Sequence, residues 1–140
     1  MVIGMAEFLD KVDKTKKKED KIAALKHNDS LVLRLVLQSV FDPSVKWLLP
    51  PGEPPYTPSK IVDVEHIFIR NIKTIYQFIE GFTPPNISKT VREAKFIEFL
   101  EAIMPDDAKL LISMKEKKLP YKTITAALVK EAFPDLIPTT

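Results

Sequence analysis

Cysteine is missing altogether, and glycine occurs only at Gly4, Gly52 and Gly81. Without thiols there is no disulfide framework, no thiolate nucleophile and no cysteine-ligated metal site. Three scattered glycines exclude GxGxxG and Walker-type phosphate loops, which need several glycines close together. No apolar run approaches the roughly 18 residues of a membrane span. The opening MVIGMAEFLDKVDK already carries acids and lacks the basic-then-apolar order of a secretory signal. Histidine is limited to His27 and His66, and neither stands four residues from another strong ligand, so no zinc site is expected. There is no Gly-x-Ser-x-Gly elbow and no pair of acids placed for glycosidase or metal chemistry. These absences predict a protein with no catalytic activity, no cofactor, no metal, no small-molecule substrate and no membrane association. A cytoplasmic location fits them.

The residues that are present form an ordinary globular mixture, with 45% apolar and 29% charged residues and a net charge of +2. A length of 140 residues predicts a single domain over 1–140 with a core of its own. So small a net charge gives no strong overall field, so any nucleic-acid binding must rest on local lysine clusters.

Apolar spacing predicts helices almost throughout. MAEFLDKVD puts Phe8, Leu9 and Val12 on one face, and Ile22, Ala23 and Leu25 carry a second helix to His27. Asn28-Asp29-Ser30 supplies N-cap chemistry for LVLRLVLQSVF, a helix so apolar that it belongs in the middle of the fold. Ile61, Val64, Phe68, Ile72, Ile75 and Ile79 recur at threes and fours, predicting one long helix closed by Gly81 and a turn at Phe82–Asn86. Thr90 and Glu93 read as a capping box, opening a helix with Phe96, Ile97, Leu100 and Ile103 inward. Pro105-Asp106-Asp107 starts the next helix, where the two acids suit the positive end of its dipole. Thr123 is placed to cap a last helix that Pro134 stops. The expected fold is all-α, a compact domain of seven or eight short helices.

Two kinds of segment stand out. Residues 47–58, WLLPPGEPPYTP, cannot continue a helix or sit inside a sheet. They read as a stiff connector, spanning 49–59, whose Trp47 and Tyr56 pack on the core, or as a protein-interaction surface made by Trp47, Pro54, Pro55 and Tyr56. The lysine-rich stretches are the other kind. Lys16, Lys17, Lys18 and Lys21 lie in KTKKKEDK, and Lys115, Lys117, Lys118 and Lys122 lie in KEKKLPYK, followed by Thr123 and Thr125. Each stretch suits either a solvated helix junction or a set of phosphate contacts.

The ending YKTITAALVKEAFPDLIP, with a basic helix end, a break, a threonine-rich helix start and Phe133-Pro134-Asp135-Leu136-Ile137-Pro138, resembles a known element. It is similar to the close of the N-terminal helical DNA-binding domain in the ATP-dependent DNA ligases of T-even bacteriophages, where a tryptophan takes the place of Phe133. Thr15-Lys16-Lys17-Lys18, the Asn28-Asp29 break and Asp106-Asp107 follow in the family's order. The resemblance implies a helical fold that grips duplex DNA by its backbone, without sequence preference, for a separate nucleotidyltransferase domain. It implies a place beside a phage or host replication or repair protein, in the host cytoplasm if phage-encoded. No Lys-x-Asp-Gly is present, and Leu119-Pro120-Tyr121 replaces the turn glycine of the ligases. Duplex-DNA binding is therefore the first expectation, and an interaction module on a ligase-like scaffold is the second.

Overall fold

A computed structural model describes residues 4–58, 67–80 and 87–136. Its helices are α1 (Met5–Lys14), α2 (Lys18–His27), α3 (Leu31–Phe41), α4 (Ile67–Arg70), α5 (Lys89–Ala102), α6 (Pro105–Lys115) and α7 (Ala126–Ala132), with a 3-10 helix at Ile72–Phe78. The fold is all-α; the described residues hold one isolated antiparallel bridge, Trp47 with Ile79, and no longer strand. None of their helices is long and apolar enough to cross a membrane.

The helices share one buried cluster, and α3 is central to it. Ser30, extended at φ −156°, accepts a bond from the Leu33 amide and so starts that helix. Val32, Leu33, Val36, Leu37 and Val40 are then buried. Helix α6 packs against α1, α3 and α5, while α2 packs against α7. Phe78 meets Phe96 edge to face at 5.2 Å, tying the 3-10 helix to α5. Arg34 of α3 lies 4.9 Å from the Phe133 ring and also holds Asp29 through two bonds, of 2.6 and 2.9 Å.

Several of the sequence expectations fail. The helix expected over 61–80 is broken within its described part, since α4 stops at Arg70 and Asn71 is non-helical at φ −114°, ψ 27°. Ile72, Ile75 and Phe78 repeat at three, the 3-10 period, and all are buried; Ile79 is extended and pairs with Trp47. The cap of α5 is Ser88, whose hydroxyl accepts from the Val91 amide at 3.2 Å, so Thr90 lies inside the first turn. Ala23 is exposed, because Lys21 and Leu25 form the inward face of α2. The expected stop at Gly81, the 82–86 turn, His66 and Ile137-Pro138 lie outside the described residues.

Asp107 does more than face its own helix dipole. It is 4% exposed, and its Oδ1 accepts from the Ala6 amide at 3.1 Å, so α6 caps the first turn of α1 across 101 residues. Tyr121 holds the same residue, its hydroxyl donating to the Ala6 carbonyl at 3.1 Å. Burial, reinforced by Asp10, Asp107, Asp106 and Asp13, pushes the Tyr121 phenol up from 10.0 to about 12. A raised folded value means that this contribution is intact below pH 10 and is lost as pH rises from 10 through about 12. Tyr121→Phe is expected to cost about 1 kcal/mol at neutral pH, one net hydrogen bond, and to flatten part of the stability loss across that alkaline window. Urea melts over a pH series, read with tyrosine ionisation absorbance, check both effects.

Candidate nucleic-acid interface

The first lysine stretch meets the end of the second, at Lys122 and Thr123. Helix α1 ends where the Thr15 hydroxyl donates to the Lys11 carbonyl, and α2 begins at Lys18. Between them the backbone bends, leaving Lys16 and Lys17 exposed. Thr123, just before α7, closes on this junction. Its amide donates to Asp13 Oδ1 at 2.9 Å, and its hydroxyl donates to that oxygen at 2.6 Å and to the Asp13 carbonyl at 3.0 Å. The Thr123 hydroxyl is foremost in holding the Asp13 carboxyl below its usual range. Burial opposes it, while the Thr123 amide, Lys21 and Lys14 assist. A second tie follows, with Lys18 Nζ 2.8 Å from Glu131 Oε2 of α7.

These ties bring Lys16, Lys17, Lys18 and Lys122 to one edge with Thr123 and Thr125. Lys16, Lys17 and Lys122 are exposed and form no ion pair among the described residues. The two threonines have structural duties, opposite to those expected in one respect. Thr125, not Thr123, caps α7, accepting from the Leu128 amide at 3.2 Å. Thr123 is engaged by Asp13.

Three of the expected phosphate ligands are turned inward. Lys21 is 9% exposed, since it shares the packed face of α2 with Leu25. Lys115 is buried, and its ammonium donates to the carbonyls of Pro50 and Gly52 at 2.8 and 2.9 Å and to Glu116 Oε2 at 3.0 Å. Lys117 reaches the carbonyls of Asp42 and Val45 at 2.7 and 3.0 Å, closing the end of α3. Burial lowers the Lys117 ammonium's pKa, against the pull of Asp42. The Lys117 backbone is left-handed at φ 61°, a conformation that favours glycine, and the two carbonyl bonds hold a lysine there. Lys118 is exposed and close enough to Glu116 to help lower that carboxyl.

The proline-rich connector is a strap fastened at three points. The Leu48 amide donates to the Phe78 carbonyl at 2.7 Å, and the Trp47 indole N–H donates to the Ser39 carbonyl at 3.2 Å. Gly52 supplies the middle fastening, with φ +91° and its amide 2.7 Å from Glu116 Oε1. The Gly52 amide is the largest influence lowering the Glu116 carboxyl, followed by Lys115. At the far end, the Thr57 amide donates to Glu101 Oε2 at 2.7 Å. Trp47 and Tyr56 are half-buried and pack on the core, so neither is the exposed anchor of the second expectation; Pro54 is half-buried and Pro55 exposed. Between strap residues 49–55 and α5 lies a cavity of about 320 Å³, walled by Glu93, Phe96 and Ile97 of α5 and by Lys115. The described residues contain no group of three or more histidines and acids able to hold a metal.

The elements and the two surfaces define an all-helical module with a mixed-charge edge and a strapped cleft. Residues 8–121 match the model of a family described as a family of unknown function, DUF6433, and the chain belongs to that family. No curated protein and no solved structure matches it.

Because Lys115 carries a buried charge satisfied by two strap carbonyls, Lys115→Met is expected to cost about 1–3 kcal/mol by leaving those acceptors unpaired. Lys118→Ala, at an exposed site in the same run, is expected to stay within about 0.5 kcal/mol of the parent. Chemical denaturation of the two variants side by side makes the comparison.

Proposed function

We propose that the protein is a non-catalytic module that binds duplex DNA through its phosphate backbone, without reading sequence. One observation carries this reading: the bonds between Asp13 and Thr123 bring Lys122, the end of the second lysine stretch, to the first stretch from more than a hundred residues away. Lys16, Lys17 and Lys122 lack internal partners there among the described residues, so each can exchange a condensed counterion for contact with a phosphate. Lys18 joins them when its exposed pair with Glu131 opens, and such a pair holds it by under about 1 kcal/mol. Lys21, Lys115 and Lys117 leave the phosphate-binding set because their burial or bonding is internal. The resemblance to the ligase domain supports the same surface, at the approach to the last helix. In this reading the chain works in the cytoplasm, beside a separate phage or host replication or repair enzyme.

A binding edge with three to four lysines predicts weak affinity, of order 10⁻⁵ M at low salt, falling with a log–log salt slope of about −3. Fluorescence anisotropy with a labelled duplex measures both quantities. The triple variant Lys16→Glu, Lys17→Glu, Lys122→Glu is expected to abolish binding, whereas Lys46→Glu, an exposed lysine on the strap side, is expected to leave it nearly unchanged. Absence of binding at low salt, or binding indifferent to the triple variant, would sink the proposal.

A further inference from the structure

The cleft beneath the proline-rich strap has no part in DNA binding, yet it is built as a site. Glu93, Phe96 and Ile97 recur at i, i+3 and i+4, so one face of α5 supplies an apolar floor with a carboxylate at its edge. Phe96 is 2% exposed, while Ile97 is only partly covered. The opposite wall is preformed. Pro50, Pro51, Pro54 and Pro55 fix their own φ angles, and Lys115, Glu116 and Glu101 hold the strap by backbone bonds. A ligand entering such a cleft orders little of the protein, which lowers the entropic cost of binding.

Charge distinguishes the occupant. The lining carries Glu53 on the strap, Glu93 on α5 and Lys115. The Lys115 ammonium is fully engaged by Pro50, Gly52 and Glu116 and offers nothing to a ligand. Neither Glu53 nor Glu93 forms an ion pair among the described residues. Among the residues that line this cavity of about 320 Å³, the free charge is therefore negative on both walls. A volume of that size takes one large side chain with its adjoining backbone. We propose that this cleft receives a short extended segment of a partner protein, with an apolar side chain on Phe96 and Ile97 and an adjacent lysine or arginine between Glu53 and Glu93.

Selection of a displayed random-peptide library on the full chain, followed by affinity measurement on synthetic copies of the enriched peptides, tests the assignment. Enriched peptides should share an apolar residue next to Lys or Arg. Their affinity should fall about tenfold for Glu93→Gln and for Ile97→Ser, the size of effect expected where an anchoring contact is lost. Both side chains line the cleft and are only partly buried, and unchanged melting temperatures confirm that the variants fold. The triple lysine variant should bind the peptides as the parent does, and Glu93→Gln should bind duplex DNA as the parent does, so the two surfaces fail or stand separately. No enrichment, enrichment of acidic or purely polar peptides, or affinity indifferent to both cleft variants would overturn the proposal.

Discussion

One buried ammonium sets the course of the proline-rich strap. Taking a lysine charge out of water costs several kcal/mol, and the cost is offset only where acceptors surround it. Lys115 finds them in two strap carbonyls and one carboxylate. The strap must therefore pass over the end of α6, and Gly52 must turn through a positive φ to present its amide and its carbonyl to the same spot. Replacing any one partner leaves the others desolvated. The position of the strap, and with it the cleft against α5, follows from this charge more than from the stiffness of proline.

Helix α6 acts as a fastening at both of its ends. At its first turn Asp107 holds the start of α1, at its last Lys115 holds the strap, and just beyond it Lys117 holds the end of α3. Each contact is a side chain donating to or accepting from another segment's backbone, which fixes main-chain position without depending on the neighbour's side-chain identity. Acidic conditions work against several such contacts at once. Asp13, Asp42 and Glu116 all sit below their ordinary values in the fold, so their contributions are present above the usual carboxylate range and fade as pH falls through the lowered values.

Helix identity was legible wherever apolar spacing and a polar cap agreed, as at Ser30 and α3. It was not legible at 72–78, where Ile72, Ile75 and Phe78 fit a period of three and Ile72, Ile75 and Ile79 fit the α period, and tertiary pairing of Ile79 with Trp47 chose between them. The lysines divide in the same way. Lys115 stands four residues after the buried Leu111, so its place on the inward face of α6 could be inferred; Lys21 and Leu25 have the same relation on α2. No local pattern marks Lys117, whose inward turn depends on a left-handed backbone and on carbonyls 72 and 75 residues away. Nor does any pattern pair Asp13 with Thr123, so the lysine edge could be named by its residues and not assembled from them.

Those long-range ties also set an order of events. Ala6 waits for Asp107 and Tyr121, Asp13 for Thr123, and Lys18 for Glu131, at separations of 101 to 115 residues. On a ribosome, α1 and α2 emerge with each other to pack against but long before α6 and α7, which cover the rest of their buried faces, have been made. A helical protein usually folds on local contacts, but here the first two helices stay unfinished until the last fifth of the described chain has been made. Translation that stalls after α5 would therefore release an incomplete chain whose α1 and α2 lack the cover of α6 and α7, a substrate for chaperones and proteases.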